Sequence, residues 1–409
     1  MPPSSSGPAS SGRSALARRL TAAVAGSEQL AAPAMVVDLE AFDANADDLA
    51  RRAAGKPLRL ASKSVRVPAL IERALRHPGF TGVLAFTLRE ALWLHEQGLS
   101  DDLVVAYPTV DRPALTQLVA SPAAAAAITL MIDDLAHLDV VDSVRHSLAV
   151  PVRVAIDVDA GLRIGGQHVG PKRSPLYDPA AVRDLARRVV DRRGFRLVGV
   201  MTYEGQVAGL PDMVPTQRAK SLVVRGLKQA SQSQLEARRQ QVSDALTGVV
   251  ELEFWNAGGS GSVESTAADP VVTEVAAGSG LLVPTLFDHY RSFEPRPAAF
   301  FALPVTRRPG PGIATVHGGG LVASGPAGRD RLPTPWLPEG LHLTALEGAG
   351  EVQTPLTGPA AARLAIGDLV WFRHAKSGEP FEHTNDVHLL EGDAFVDRVS
   401  TYRGHGLTF

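Results

Sequence analysis

Residues 57–67 read PLRLASKSVRV, and the fold is decided here. Leu58–Ser62 is a short apolar run of the kind that forms a strand buried on both faces. Lys63 is the first residue beyond it, and an amphipathic stretch, Pro68–His77, follows. The same beat recurs along the chain. Strands are predicted at Val83–Phe86, Leu103–Tyr107, Ala127–Ile132, Val152–Asp157, Leu197–Tyr203, Leu252–Trp255 and Val271–Val275. Stretches with helical spacing alternate with them, among them Leu39–Ala54, Leu88–Gln97, Ala181–Arg192 and Gln217–Leu246. Eight strand–helix units predict an α/β fold of the (β/α)8 barrel type. A doubly wound open sheet is the competing architecture.

After about Tyr290 the helical spacing stops, and Pro and Gly crowd residues 295–358. Ala299–Val305, Gly312–Val316, Leu341–Leu346, Leu369–Phe372 and Asp386–Leu390 read as short strands with turns, which predicts an all-β domain. The expected division is a tail and N-terminal helix over 1–32, a barrel over 33–290 and a β-domain over 291–409. Residues 1–27 lack Asp and Glu and are rich in Ser, a composition compatible with an organelle transit peptide. The plainer reading is a Ser/Pro/Gly tail over 1–12 and a short helix from Ser14.

The 409 residues are 45% hydrophobic and 21% charged, which supplies a packed core and excludes global disorder. A net charge of −2 carries no mark of a nucleic-acid binder. The absence of cysteine excludes disulfides, thiolate nucleophiles and Cys-based metal centres, and it fits a reducing cytoplasm. The longest apolar run, Ala123–Ile132, is about half the roughly 20 residues of a membrane span.

In a barrel the chemistry sits at the C-terminal ends of the strands. Lys63 there can reach the barrel mouth, where partial desolvation frees its amine for Schiff-base formation; taken alone, it also reads as a surface lysine. The fifth strand leads into IDVDAGLRIGG, which carries Asp157, Asp159 and Arg163, or else simply a tight turn. The sixth places Tyr203 at the mouth. Gly258–Ser262 after the seventh strand and Gly278–Gly280 after the eighth are Gly/Ser loops, in the positions where barrels bind phosphate. A lysine, an arginine and a phosphate cradle in these positions suit pyridoxal 5′-phosphate (PLP).

The stretches PAMVVDLEAFDANADDLARRAAGKPLRLASKSVRVPAL, IDVDAGLRIGG, LVGVMTYEGQ, WNAGGSGS and GDLVWFRHAKSGE resemble the fold type III PLP enzymes, whose barrels are like that of alanine racemase. The resemblance is to the branch of D-threonine aldolase and D-serine dehydratase, and to a subgroup described as amino-acid deaminase/aldolase. It implies Lys63 as the Schiff-base lysine and Arg163 beside the pyridine nitrogen. It also implies Tyr203 lining the cofactor, with Ser260, Gly278 and Ser279 on the phosphate. An arginine at the ring nitrogen weakens PLP as an electron sink, so the family's pattern calls for a metal or a well-placed base.

Two departures stand out. The family's C-terminal His-x-Cys or His-x-Asp metal pair is here His374 followed by Lys376, and ammonium is not a metal ligand. Glu379 and His383 are the nearby donors that could complete a zinc or manganese site with His374, or the segment is a plain polar loop. Gln206 stands where aldolases of the branch tend to have a histidine. The expected function is a PLP-dependent lyase acting on a β-hydroxy D-amino acid, by retro-aldol cleavage or dehydration, with Lys63 and His374 as candidate catalytic residues. An amino-acid racemase and a non-catalytic PLP-binding protein are the alternatives. The expected assembly is a homodimer, with a small-molecule substrate and no nucleic-acid or membrane partner.

Overall fold

A computed structural model describes residues 8–27, 30–146, 150–209, 212–213, 218–290, 294 and 296–409. Eight parallel strands close into a barrel: Leu58–Ala61, Phe80–Ala85, Leu103–Val105, Ile128–Ile132, Val152–Asp157, Phe195–Thr202, Phe254–Ala257 and Glu274–Ala277. Closure is carried by the eighth strand on the first, Val275 against Leu58 and Ala277 against Leu60. That pairing excludes the open sheet. The predicted first six strands lie on the observed ones; the seventh is shifted two residues later than Leu252–Trp255, and the eighth begins three residues later than Val271.

Leucine, valine and isoleucine on the outer face of the strands pack against the amphipathic helices. Inside, Val104, Met131, Ala155, Val198, Met201 and Phe254 form a separate apolar cluster. Gly199 is required there, because a Cβ at that position would enter the Phe254 ring. Below the cluster Arg59 is buried with Glu274, at 2.6 and 2.7 Å, and reaches Asp102 at 2.8 and 3.1 Å. Asn256 Nδ2 donates to the same Glu274 at 2.8 Å. The buried charges are therefore paired and hydrogen-bonded, as burial demands.

The second sheet has nine strands and takes in Ala34–Asp38 together with strands from Ala299 to Ser400. Ala34–Asp38 runs antiparallel to Ala299–Gly310 and parallel to Asp386–Glu391. The chain therefore starts in the second sheet, builds the barrel, and returns; a barrel opening at residue 33 would have included this strand. A helix, Pro8–Ala25, covers that sheet, with Leu20 and Ala23 buried against Val36, Phe300, Trp371 and Leu390. The helix begins six residues before Ser14, and of the expected tail residues 1–7 lie outside the described residues. Arg19 secures it through Asp38, at 2.9 and 3.0 Å. Asp38 also caps the next helix, Leu39–Arg52. No helix among the described residues is long and apolar enough to cross a membrane.

Candidate active site

A cavity of about 330 Å³ opens at the C-terminal ends of the barrel strands, at the low end of the range for small-molecule sites. The barrel provides one wall. Lys63 sits in a 3-10 turn, Ser62–Ser64, directly after the first strand. Its Nζ is 2.7 Å from Tyr107 Oη at the end of the third strand. Burial pushes the Tyr107 phenol up, but the Lys63 ammonium and Arg173 outweigh it and the net shift is downward. Arg173 lines the same cavity, its guanidinium 5.5 Å from the Tyr107 ring centre and 5.3 Å from that of Tyr203. Burial raises the Tyr203 phenol.

The two Gly/Ser loops meet on this wall. Ser260 Oγ accepts from the backbone N–H of Gly278, at 3.2 Å, and of Gly280, at 2.9 Å. Ser279 Oγ is 3.0 Å from Ser64 Oγ, which ties the second loop to the lysine turn. Gly278 is close enough to the first strand that a Cβ would lie 2.5 Å from the Ala61 carbonyl oxygen. From below, the buried Glu204 accepts from Gly258 N at 3.1 Å and from Thr266 Oγ1, and it pairs with Arg239 at 2.9 Å. Lys63, Tyr203, Ser260, Gly278 and Ser279 thus share one cavity.

Arg163 is not among them. It lies on a hairpin, Leu162–Ile164 with Gln167–Val169, stacked 3.6 Å from the Tyr177 ring centre and 3.2 Å from Asp159. An arginine that does line the cavity, beside Tyr107 and Tyr203, is Arg173, from the loop after that hairpin, where no strand-end rule singles it out. Tyr107 was legible as a strand-end residue but carries no glycine signature. Asp157, the last residue of the fifth strand, is raised to about 7 by burial and by neighbouring Asp133. Gln206 is buried away from the cavity, its amide donating to Ala160 O at 2.6 Å and Ser231 Oγ at 2.9 Å.

The β-domain of the same chain provides the opposite wall, with Arg331, Lys376, Ser377 and Glu379. The segment after strand Leu369–Arg373 runs against the lysine turn so tightly that a Cβ on Gly378 would overlap the Lys63 carbonyl. His374 is buried beneath this wall, not on it; burial and the neighbouring Arg373 lower it to about 3. Its Nε2 is 3.5 Å from Ser377 Oγ. Glu379 is held by Ser324 N at 2.8 Å and by Lys376 Nζ at 2.7 Å. His383 borders a second, small cleft beside Leu321 and Val322, which Lys376 and Glu379 also line and His374 does not. The three residues expected around a metal are therefore not gathered at one point, and no group of three His, Cys, Asp or Glu that could hold a metal occurs among the described residues.

Among the described residues the cavity lining carries five cationic side chains, Lys63, Arg66, Arg173, Arg331 and Lys376, and one carboxylate, Glu379; Arg66 is paired with Glu382 and Lys376 with Glu379. A reactive amine, a glycine-lined cradle and this positive field suit a phosphorylated aldehyde such as PLP.

Residues 37–284 match the family described as alanine racemase, N-terminal domain. A D-threonine aldolase from an Arthrobacter species is 28% identical over 251 residues, 60% of this chain and 60% of that enzyme. The match thus spans less than two thirds of the aldolase. Among solved structures, D-threonine aldolase from Filomicrobium marinum superposes with a TM-score of 0.76 at 19% identity, over 93% of this chain and 96% of that one. D-threo-3-hydroxyaspartate dehydratase from Delftia sp. HT23 gives 0.71 at 21% identity, over 91% and 98%. At these identities the two structures speak to the shared fold.

Proposed function

This chain belongs to the alanine racemase N-terminal domain family, and from that premise we propose that it is a PLP-dependent lyase of β-hydroxy D-amino acids, working by retro-aldol cleavage or dehydration. One observation carries the proposal: Lys63 and the joined Ser260–Gly278 loops sit side by side on one wall of a single cavity at the barrel mouth. The similarity to a D-threonine aldolase supports the substrate class.

When bound, PLP supplies an electrophilic carbon for amines and a sink for the electrons of a bond broken at the substrate's α-carbon. The chain's own residues do the rest. Lys63 offers the amine. Tyr107 Oη, 2.7 Å away, fixes that amine and can share its proton. The Gly258–Ser262 and Gly278–Gly280 loops would receive the phosphate, held in shape by Glu204 from beneath. Tyr203 walls the ring site, and Arg173 offers a cation for a carboxylate. Ser377 and Gly378 close the β-domain over Lys63 and limit water there.

The proposed reaction uses PLP without the zinc or manganese ion that the resemblance implies, because His374, Glu379 and His383 do not converge. The proposal includes a homodimer and a cytoplasmic setting. Light scattering of the PLP-loaded protein checks the dimer. The activity is tested by incubating that protein with paired D- and L-forms of threonine and serine. Aldehyde plus glycine, or a keto acid plus ammonia, from the D-forms is expected. Racemised amino acid with neither product would make it a racemase; no change in any amino acid would leave a PLP-binding protein.

A further inference from the structure

Lys376 stands two residues after His374, where the resemblance calls for a second metal ligand. It is not a stray surface lysine. Its Nζ lies 2.7 Å from Glu379 Oε1 and 2.5 Å from Ser324 Oγ, and Glu379 in turn accepts from both the N–H and the hydroxyl of Ser324. Two groups from two segments of the β-domain, the Ser324 hydroxyl and the Glu379 carboxylate, thus fix one ammonium that lines the cavity with Lys63 and also borders the small cleft of His383. An ammonium has three N–H donors, and these two partners take two of them. The Lys376 side chain keeps 46% of its surface open, and it lines the cavity. His374, by contrast, is sealed under the wall, with its ring turned to Ser377.

We propose that in this chain the Lys376 ammonium, held by Glu379 and Ser324, takes the place of the divalent ion and binds the substrate's β-oxygen with its remaining N–H. The inference rests on the lyase reading for the substrate's class, not for its evidence. A fixed positive charge at the β-oxygen serves the two purposes that a metal serves there, orientation and stabilisation of negative charge. It does so without a Lewis-acidic centre and without dependence on metal supply.

D-Serine and D-alanine differ only by the β-hydroxyl, so their affinities read this contact directly. Spectral titration of the PLP-loaded protein should give D-serine binding about tenfold tighter than D-alanine, the size of one hydrogen bond to a charged group. In Lys376→Met the two affinities should become equal within about twofold, with the PLP band and melting temperature unchanged because the side chain is half-exposed. Lys376→Arg should restore part of the preference, and Ser324→Ala should weaken it severalfold. Elemental analysis should find no stoichiometric zinc or manganese, and EDTA should leave both the affinities and any turnover unchanged. A stoichiometric metal whose removal by EDTA abolishes the serine preference would overturn the inference. So would a preference that survives in Lys376→Met. If the preference behaves as expected but no product forms, the lyase reading fails and the Lys376 contact stands.

Discussion

The two walls of the cavity are built by different physics. On the barrel wall the shaping groups are buried and bonded to backbone: Glu204 is 2% exposed and Ser260 5%, and both hold loop N–H groups. On the β-domain wall the shaping groups are half-open side chains bonded to one another, Lys376, Glu379 and Ser324. A buried network tolerates little change, because each lost partner leaves a desolvated polar group behind. An exposed ion pair is worth much less and can be exchanged. Under the proposed function, the wall that would hold the cofactor is the one less tolerant of change, and the wall facing the substrate is the one whose chemistry can be exchanged while the fold stays.

Substitutions that break the barrel wall should have the largest effects. Lys63→Ala should reduce turnover to background and leave no borohydride-stable adduct, measured by product assay and mass spectrometry. Next, Glu204→Gln breaks a fully buried pair with Arg239. It should cost about 3–5 kcal/mol in chemical denaturation and loosen PLP retention. Gly278→Ala pushes a methyl against the Ala61 carbonyl. A cost of about 1–3 kcal/mol is expected, with weaker PLP binding by equilibrium dialysis.

A smaller effect is expected where the two domains join. Burial raises Glu90 to about 7, although Tyr402 Oη donates to it at 2.7 Å and Phe86 N at 2.7 Å. The folded state then binds a proton that the unfolded state has released, so stability is full below the unfolded value of 4.5 and falls as pH rises through 7. The melting temperature should therefore decline between pH 5 and about 8, and Glu90→Gln should flatten that decline. An unchanged slope in the variant would show that Glu90 is ionised throughout. The smallest change is Tyr107→Phe, which keeps the ring and removes only the hydroxyl on Lys63. It should lower kcat about tenfold or more and shift its pH profile, with little change in melting temperature.

The barrel was legible in the sequence because its strands are continuous Val/Ile/Leu runs separated by amphipathic helices, and strand ends point to Lys63, Tyr203 and the two Gly/Ser loops. The β-domain was less so. Gln353–Thr357 is polar and contains Pro355, and Ala394–Ser400 is an edge strand with mostly exposed residues, so neither has the alternation that marks a strand. Ala34–Asp38 shows the complementary limit: AMVVD reads as a buried strand, but nothing local says which sheet receives it. Arg163 and Arg173 show the same for the site. Arg163 lies on the hairpin after the fifth strand and Arg173 just beyond it, and only the path of the chain decides which guanidinium turns to the cavity.

The most direct test of the central claim is the site of cofactor attachment. The protein purified with PLP is reduced with borohydride, digested and mapped by mass spectrometry. A single pyridoxyl group on Lys63, lost when D-threonine is added before reduction, is the expected result. A pyridoxyl group on another lysine, or a protein that takes up no PLP, would contradict the account.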